Sequence, residues 1–297
     1  MRKLLILGIS LLAAACVGGG AASPTPGVSP TPGVSAAPSA TAAVPLGYVV
    51  ATAPEQLVLR IETAGGFVSP SYVLSAVPGF ALFGDGTIIV PGPPAEANST
   101  PLLPSLQVVR VTPAEIQKIL AAADAAGLLG PNAQFDAVGI ADAGTTTFTT
   151  VVDGKTHTIG AYALGIDSGV TQTNAASRAR LSQFWSEMSD LSTFLGRTLG
   201  AEAYVPTEMR VFLSDAGPAD PGQPAAPIAA WPLGDPSKSG QPTSVPGTVC
   251  VALTGGDLSS FLTVAGTAQA TTVWTYGANR YAIDVRPLYP NESGCAG

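Results

Sequence analysis

Apolar residues recur along this chain at two spacings, and the spacing separates its elements. Every second position is apolar or β-branched in Leu57-Val58-Leu59-Arg60-Ile61, Val109-Arg110-Val111, Met209-Arg210-Val211-Phe212-Leu213 and Val251-Ala252-Leu253, the period of a half-buried strand. Three hairpins are predicted from the same alternation around turn residues. Phe80 to Val90 turns at Gly84-Asp85-Gly86, and Thr145 to Leu164 turns at Asp153-Gly154. Thr271 to Leu288 turns near Gly277-Ala278-Asn279. Helical spacing appears in three places. Ile116, Ile119, Leu120 and Ala123 form one stripe, and Leu258, Phe261, Leu262 and Ala265 another. Leu181, Phe184, Trp185, Met188, Leu191 and Leu195 predict one long amphipathic helix over Asn174 to Leu195, stopped by Gly196.

The first two helices start alike. Thr112 followed by Pro113 and Glu115 is a capping-box pattern with proline at a first-turn position where its missing N–H is harmless. Thr254 and Asp257 repeat the spacing, with Gly255 and Gly256 weakening the first turn. Strand, capped helix and hairpin follow in the same order on both sides of residue 200. This self-similarity predicts an α+β fold of two related strand-strand-helix-hairpin units with antiparallel sheets, joined by the long amphipathic helix. The first unit with that helix covers residues 47–200, and the second covers 201–297. Proline-rich excursions over Pro91 to Pro104 and Pro218 to Pro246 keep neither period and read as surface loops, where binding residues often sit.

The N-terminus is built differently. Met1-Arg2-Lys3, an apolar run from Leu4 to Leu12 and Ala13-Ala14-Ala15 form a basic head, a greasy core and a small-residue exit, the layout of a secretory signal over residues 1–15. The run is shorter than the roughly 20 residues a membrane span needs. Leu12-Ala13-Ala14-Ala15-Cys16 resembles the lipobox of bacterial lipoproteins, with Ala13 where that family most often has Leu. The resemblance implies that Cys16 becomes the first residue and carries a diacylglycerol thioether, so that the membrane is a partner through its lipid. It further implies an extracytoplasmic protein anchored to the bacterial cell membrane. Cleavage after Ala15 with release into the medium is the other reading, and it leaves Cys16 as an unpaired thiol. Residues 16–46 contain Ser23-Pro24-Thr25-Pro26-Gly27-Val28 and its repeat Ser29-Pro30-Thr31-Pro32-Gly33-Val34, without a charge or a large core side chain. Such a tether favours polyproline II and reaches at most about 90 Å at ~3.1 Å per residue. Beyond it, the chain resembles uncharacterised secreted bacterial proteins.

Composition narrows the chemistry. Only 11% of the 297 residues are charged, and 13 basic against 20 acidic residues give a net charge of −7. A grip on nucleic acid is therefore not expected. Outside Cys16 the cysteines are Cys250 and Cys295, which in an oxidising compartment read as a disulfide. His157 is the single histidine, so a Ser-His-Asp triad would have to use it, and no GxSxG elbow accompanies it. No metal or cofactor motif is present, and none is expected. The residue types point to a non-enzymatic binding, scaffolding or inhibitor module at the cell envelope, with a protein or glycan partner. Trp231, after a proline-rich loop, is an anchor for that partner if exposed and a pin for the loop if buried. The alternative is an envelope hydrolase using Asp136, Asp142 and His157 around the first hairpin, which requires those three groups to share a cleft.

Overall fold

The computed structural model describes residues 47–96, 100–166, 172–218, 222 and 224–295. The leader, Cys16 and the tether expected over residues 16–46 lie outside the described residues. The described chain is mixed α and β, with strands predominating. In the first half the strands are β1 (Leu57–Ala64), β2 (Phe80–Phe83), β3 (Thr87–Pro91), β4 (Leu106–Arg110), β5 (Ala133–Phe135), β6 (Thr145–Val152), β7 (Lys155–Tyr162) and β8 (Ala201–Ala203). Its helices are α1 (Pro70–Ser75), α2 (Pro113–Ala125), α3 (Gln172–Ser189) and α4 (Leu191–Leu195). The second half holds β9 (Glu208–Asp215), β10 (Ile228–Ala230), α5 (Pro236–Ser239), β11 (Gln241–Pro242), β12 (Thr248–Thr254), α6 (Gly255–Ala265), β13 (Val273–Tyr276) and β14 (Asn279–Pro287).

Two sheets result. The first has the order β5-β7-β6-β1-β2-β3-β4-β8 and the second β10-β13-β14-β9-β12-β11. All three predicted hairpins form, in the registers Ala81↔Ile89, Phe148↔Ile159 and Trp274↔Tyr281. The expectation of purely antiparallel sheets is corrected at both outer edges, where β5 runs parallel to β7 and β10 parallel to β13. Each is a three-residue edge strand delivered by a helix or a long loop, so no tight turn dictates its direction.

The two halves share their order along the chain but not their order in space. In the first sheet the leading hairpin strand β6 adjoins the central β1; in the second the trailing strand β14 adjoins β9. The β2–β3 hairpin occupies the place beside β1 that β12 takes beside β9, and so pushes β4 outward. The long helix is also corrected. Asp190 interrupts it at φ −123°, ψ 64°, and its side chain accepts from the Thr193 amide to start α4. Leu181, Phe184, Met188 and Leu191 then pack with α2 on the first sheet instead of linking the halves. The boundary expected at residue 200 falls before β8, which pairs with β4 in the first sheet.

Three apolar clusters fill the molecule. Ile116, Ile119, Leu120 and Ala123 of α2 meet Leu59, Ile61, Phe80 and Phe148 on one face of the first sheet. Leu258, Phe261 and Ala265 of α6 meet Val211, Leu213, Trp274 and Ile283 on the second. The opposite face of the first sheet is covered by the C-terminal tail: Tyr289 is buried among Ala81, Phe83, Ile89 and Leu106. The central strand β2 is consequently buried on both faces. The Cys250–Cys295 disulfide, S–S 2.09 Å, ties the end of that tail to β12.

Candidate functional site

One end of the first sheet carries an unusual construction. The strands β1, β5 and β7 all finish there, in the registers Ala64↔Thr145, Phe135↔Ala161 and Thr145↔Tyr162. The loops that leave these strands are pinned to each other. The Phe67 amide donates to the Asp142 carbonyl at 3.0 Å. The Tyr162 hydroxyl donates to the Ile140 carbonyl and accepts from the Ala143 amide, at 3.2 and 3.1 Å. Gly66, at φ +83°, lies so close that a Cβ there would meet the Asp142 carbonyl oxygen at 3.0 Å. Glycine is needed at this crossing for both space and backbone conformation.

Arg178 of α3 holds the arrangement from below. It is 3% exposed, and its guanidinium donates to the carbonyls of Phe135, Tyr162, Ala163 and Ile166 at 2.7–3.4 Å. Carbonyl oxygens here replace the carboxylate that a buried cation ordinarily requires. Two of the three non-glycine residues with positive φ among the described residues, Asp142 (58°) and Ala163 (51°), also sit at this end. A left-handed alanine costs about 1 kcal/mol, and such strain concentrates where loops are held for a purpose.

What these loops display is apolar. Phe67 is 91% exposed and Val138 66%, with Val68 and Ile166 exposed on the same loops and Tyr72 and Val73 exposed on α1, which follows the first of them. These are six of the nine large exposed hydrophobics among the described residues, so the exposure is gathered and not scattered. Asp136 and Asp142 are exposed on the same loops, and their side chains have no hydrogen-bond or ion-pair partner among the described residues. The chain enters at the other end of the sheet, where the Val49 amide donates to the Asp153 side chain and the Asp153 amide to the Val49 carbonyl, both at 2.8 Å. The eight residues of β6 separate the two ends by roughly 25 Å at about 3.3 Å per residue.

Beside the apolar loops, a cleft of about 560 Å³ receives residues of both sheets, α1 and the C-terminal tail. Its charges form a closed network around Glu292. Oε1 of this carboxylate accepts from Arg60 of β1 at 3.1 Å and from Arg286 of β14 at 2.6 Å, and Oε2 accepts from the Tyr289 amide at 3.0 Å. Arg60 also pairs with Glu62 at 2.8 Å. Arg210 donates to the Gly294 carbonyl, and the Gly294 amide donates to Glu208, both at 2.6 Å. Burial alone would raise the Glu292 carboxyl, but the Arg286 hydrogen bond and charge, the Tyr289 amide and the Arg60 charge hold it below the usual carboxylate range. Burial, reinforced by the Glu292 charge, pushes the nearby Tyr204 hydroxyl up to about 12. Glu292 thus bridges an arginine of each sheet, with the buried Arg286 Nη1 left without a partner, and the network is a lock between the sheets.

The residues expected to carry chemistry are not brought together. Asp136 follows the Phe135↔Ala161 pair, whereas His157 stands five positions back along β7, roughly 16 Å away at ~3.3 Å per residue. The His157 Nδ1 lies 2.8 Å from the Gly130 carbonyl, which can only accept, so Nδ1 is the donor there. The shared cleft that the hydrolase alternative needs is therefore not formed by Asp136, Asp142 and His157. Among the described residues, no three His, Cys, Asp or Glu side chains gather as a metal-binding set.

Of the two readings of Trp231, burial is the one the fold adopts. It is 5% exposed, packs its ring on Phe261 and Trp274, and donates Nε1–H to the Gly234 carbonyl at 2.9 Å. Edge-on aromatic packing and a satisfied indole make it the pin of its loop. The exposed loops at 65–68 and 136–142 escaped the sequence reading because Gly65, Gly66 and Pro70 mark only a turn there. Arg178 escaped because a buried arginine on a helix face looks like any solvated one in sequence. No family model, curated protein or solved structure matches this chain.

Proposed function

We propose that this protein is a non-catalytic binding module of the bacterial cell envelope, anchored by lipid at Cys16, that holds a protein partner against its rigid apolar loop end. One observation carries the reading: exposed Phe67, Val68, Val138 and Ile166 stand on loops that are pinned to each other and to the buried Arg178, with exposed Tyr72 and Val73 following on α1. Bracing matters because a pre-ordered surface loses less conformational freedom on association. The unpartnered carboxylates of Asp136 and Asp142 favour a partner whose apolar patch is flanked by basic groups. The leader and the proline-rich tether support envelope residence.

A photo-crosslinking amino acid at Phe67 or Val138 of the full-length protein, in its native cells, tests the reading. A discrete protein adduct is expected at both positions and not at the control position Lys155, near the opposite end. Equal labelling at all three positions, or lipid adducts alone at Phe67 and Val138, overturns it. Intact-mass measurement of the purified native chain tests the anchor: a mature N-terminus at Cys16 bearing a diacylglyceryl group is expected, and an unmodified chain refutes it.

A further inference from the structure

β5 stands at one edge of the first sheet and β8 at the other. All three residues of β8, Ala201, Glu202 and Ala203, are exposed. The ladder to β4 fixes which way their main-chain groups point. The Tyr204 amide donates to the Leu106 carbonyl at 2.9 Å, and Glu202 stands opposite Val108, so Glu202 and Tyr204 turn their amides and carbonyls inward. Alternate residues of an antiparallel ladder face opposite ways. The N–H and C=O of Ala201 and Ala203 are therefore directed at the open edge, with no hydrogen-bond partner among the described residues. A row of unpaired main-chain groups is a template for one more strand.

A cavity of about 430 Å³ adjoins this edge. The registers Ile88↔Val109 and Val109↔Ala201 set these three side chains in one row, on the sheet face that α2 and α3 cover. Met188 and Leu191 stand over the row, at the break between α3 and α4. Ser189, Asp190 and Ala201 are exposed and form the rim. The space is left open because Asp190 turns the chain aside after Met188, while Ala201 offers only a methyl group at the edge.

A residue bonded to the free N–H and C=O of Ala201 projects its side chain on the same face, with only that methyl between it and the cavity. The next residue falls opposite Glu202 on the other face, in a close, non-hydrogen-bonded pair. Glu202 has no ion-pair partner among the described residues, so a cation is favoured there. A second copy of this chain that used both alanines would set Glu202 against Glu202, which like charge disfavours. Residues 4–46 of the chain itself contain no Lys or Arg.

We propose that β8 receives an extended segment of a partner protein as an antiparallel strand added to the sheet. An apolar residue of that segment, opposite Ala201, enters the cavity, and a Lys or Arg stands opposite Glu202. This edge is separate from the apolar loops at 65–68 and 136–142, so the two surfaces are tested independently. The probe is the peptide acetyl-Thr-Thr-Leu-Lys-Leu-Thr-Thr-amide, whose pattern fits the edge in either direction. Added to the full-length protein, it is expected to bind saturably in calorimetry and to slow amide hydrogen exchange at Ala201 and Ala203. Replacing both Leu by Thr should weaken it roughly tenfold through lost apolar burial. Replacing Lys by Glu should weaken it roughly fivefold. Glu202→Lys, which leaves the backbone alone, should reverse the order of the Lys and Glu peptides. Ala203→Pro removes an outward N–H, spares the bonds to β4 and should abolish binding. Absence of saturable binding overturns the proposal, as does binding that leaves the Ala201 and Ala203 amides exchanging as in the free chain. An unchanged peptide order in Glu202→Lys overturns it too. Protection of these amides that rises with protein concentration, without peptide, assigns the edge to a second copy and likewise overturns it.

Discussion

Glu292 illustrates how much a single side chain near the end of the chain can carry. Its carboxylate neutralises Arg60 of the first sheet and Arg286 of the second, with its side chain 11% exposed. Removing one partner of a buried ionic cluster leaves the others uncompensated, at a cost of about 3 kcal/mol or more. Glu292→Gln should therefore lower the denaturant midpoint by that equivalent, measured by chemical unfolding at neutral pH. The sign of the pH effect follows from the depressed carboxyl. The unfolded chain takes up the proton at the ordinary glutamate value near 4.3, above the folded one, so this stabilisation is complete above about pH 4.3 and is lost as pH falls through the folded value. The variant should lose less stability than the parent between neutral pH and pH 3. A variant with the same acid dependence as the parent would remove Glu292 from this role. In the sequence Glu292 stands out by nothing, because no local feature distinguishes a carboxylate destined for two distant arginines.

Elements whose stability is local were legible. Thr112 and Glu115 make both bonds of the capping box, and Arg197 closes on Glu115 at 2.5 Å, holding that carboxyl down to about 2. The weaker repeat of that cap expected from Thr254 and Asp257 does not form: Thr254 makes no side-chain cap bond. The two glycines between them differ in a way the sequence did not reveal. Gly255 has φ +52°, whereas Gly256 is in ordinary helical backbone with open space around a would-be Cβ. Gly256→Ala is expected to stabilise by roughly 0.5–1 kcal/mol through the unfolded chain, and Gly255→Ala to destabilise by about 1 kcal/mol or more. Thermal melts of the two variants check both signs. The helix over 174–195 failed as one piece for the same local reason that made α2 legible. Asp190 is a good cap, and it restarts the chain in a new direction so that Leu191 can reach the core.

For the molecule as a whole, the C-terminal tail decides the architecture. Tyr289 fills the far face of the first sheet, Glu292 links the sheets electrostatically, and the Cys250–Cys295 bond fixes the end of the tail to β12. A sequence separation of 45 residues makes this cross-link worth about 4 kcal/mol on the chain-entropy account. The paired Cys250→Ser, Cys295→Ser variant should melt well below the parent and lose protection of Tyr289 in hydrogen exchange. An unchanged melt would mean that the ionic lock alone retains the tail. By itself, the sequence determined whatever depends on neighbours along the chain: the strand and helix periods, the three hairpin turns, the capping box, and the pairing of the two late cysteines. Tertiary structure alone decided which hairpin strand joins each central strand, the parallel edges, the burial of Trp231, the distance between His157 and Asp136, and the bracing of the apolar loops by Arg178. Those outcomes rest on contacts between residues far apart in sequence, and a pattern read along one dimension holds no information about which faces will meet.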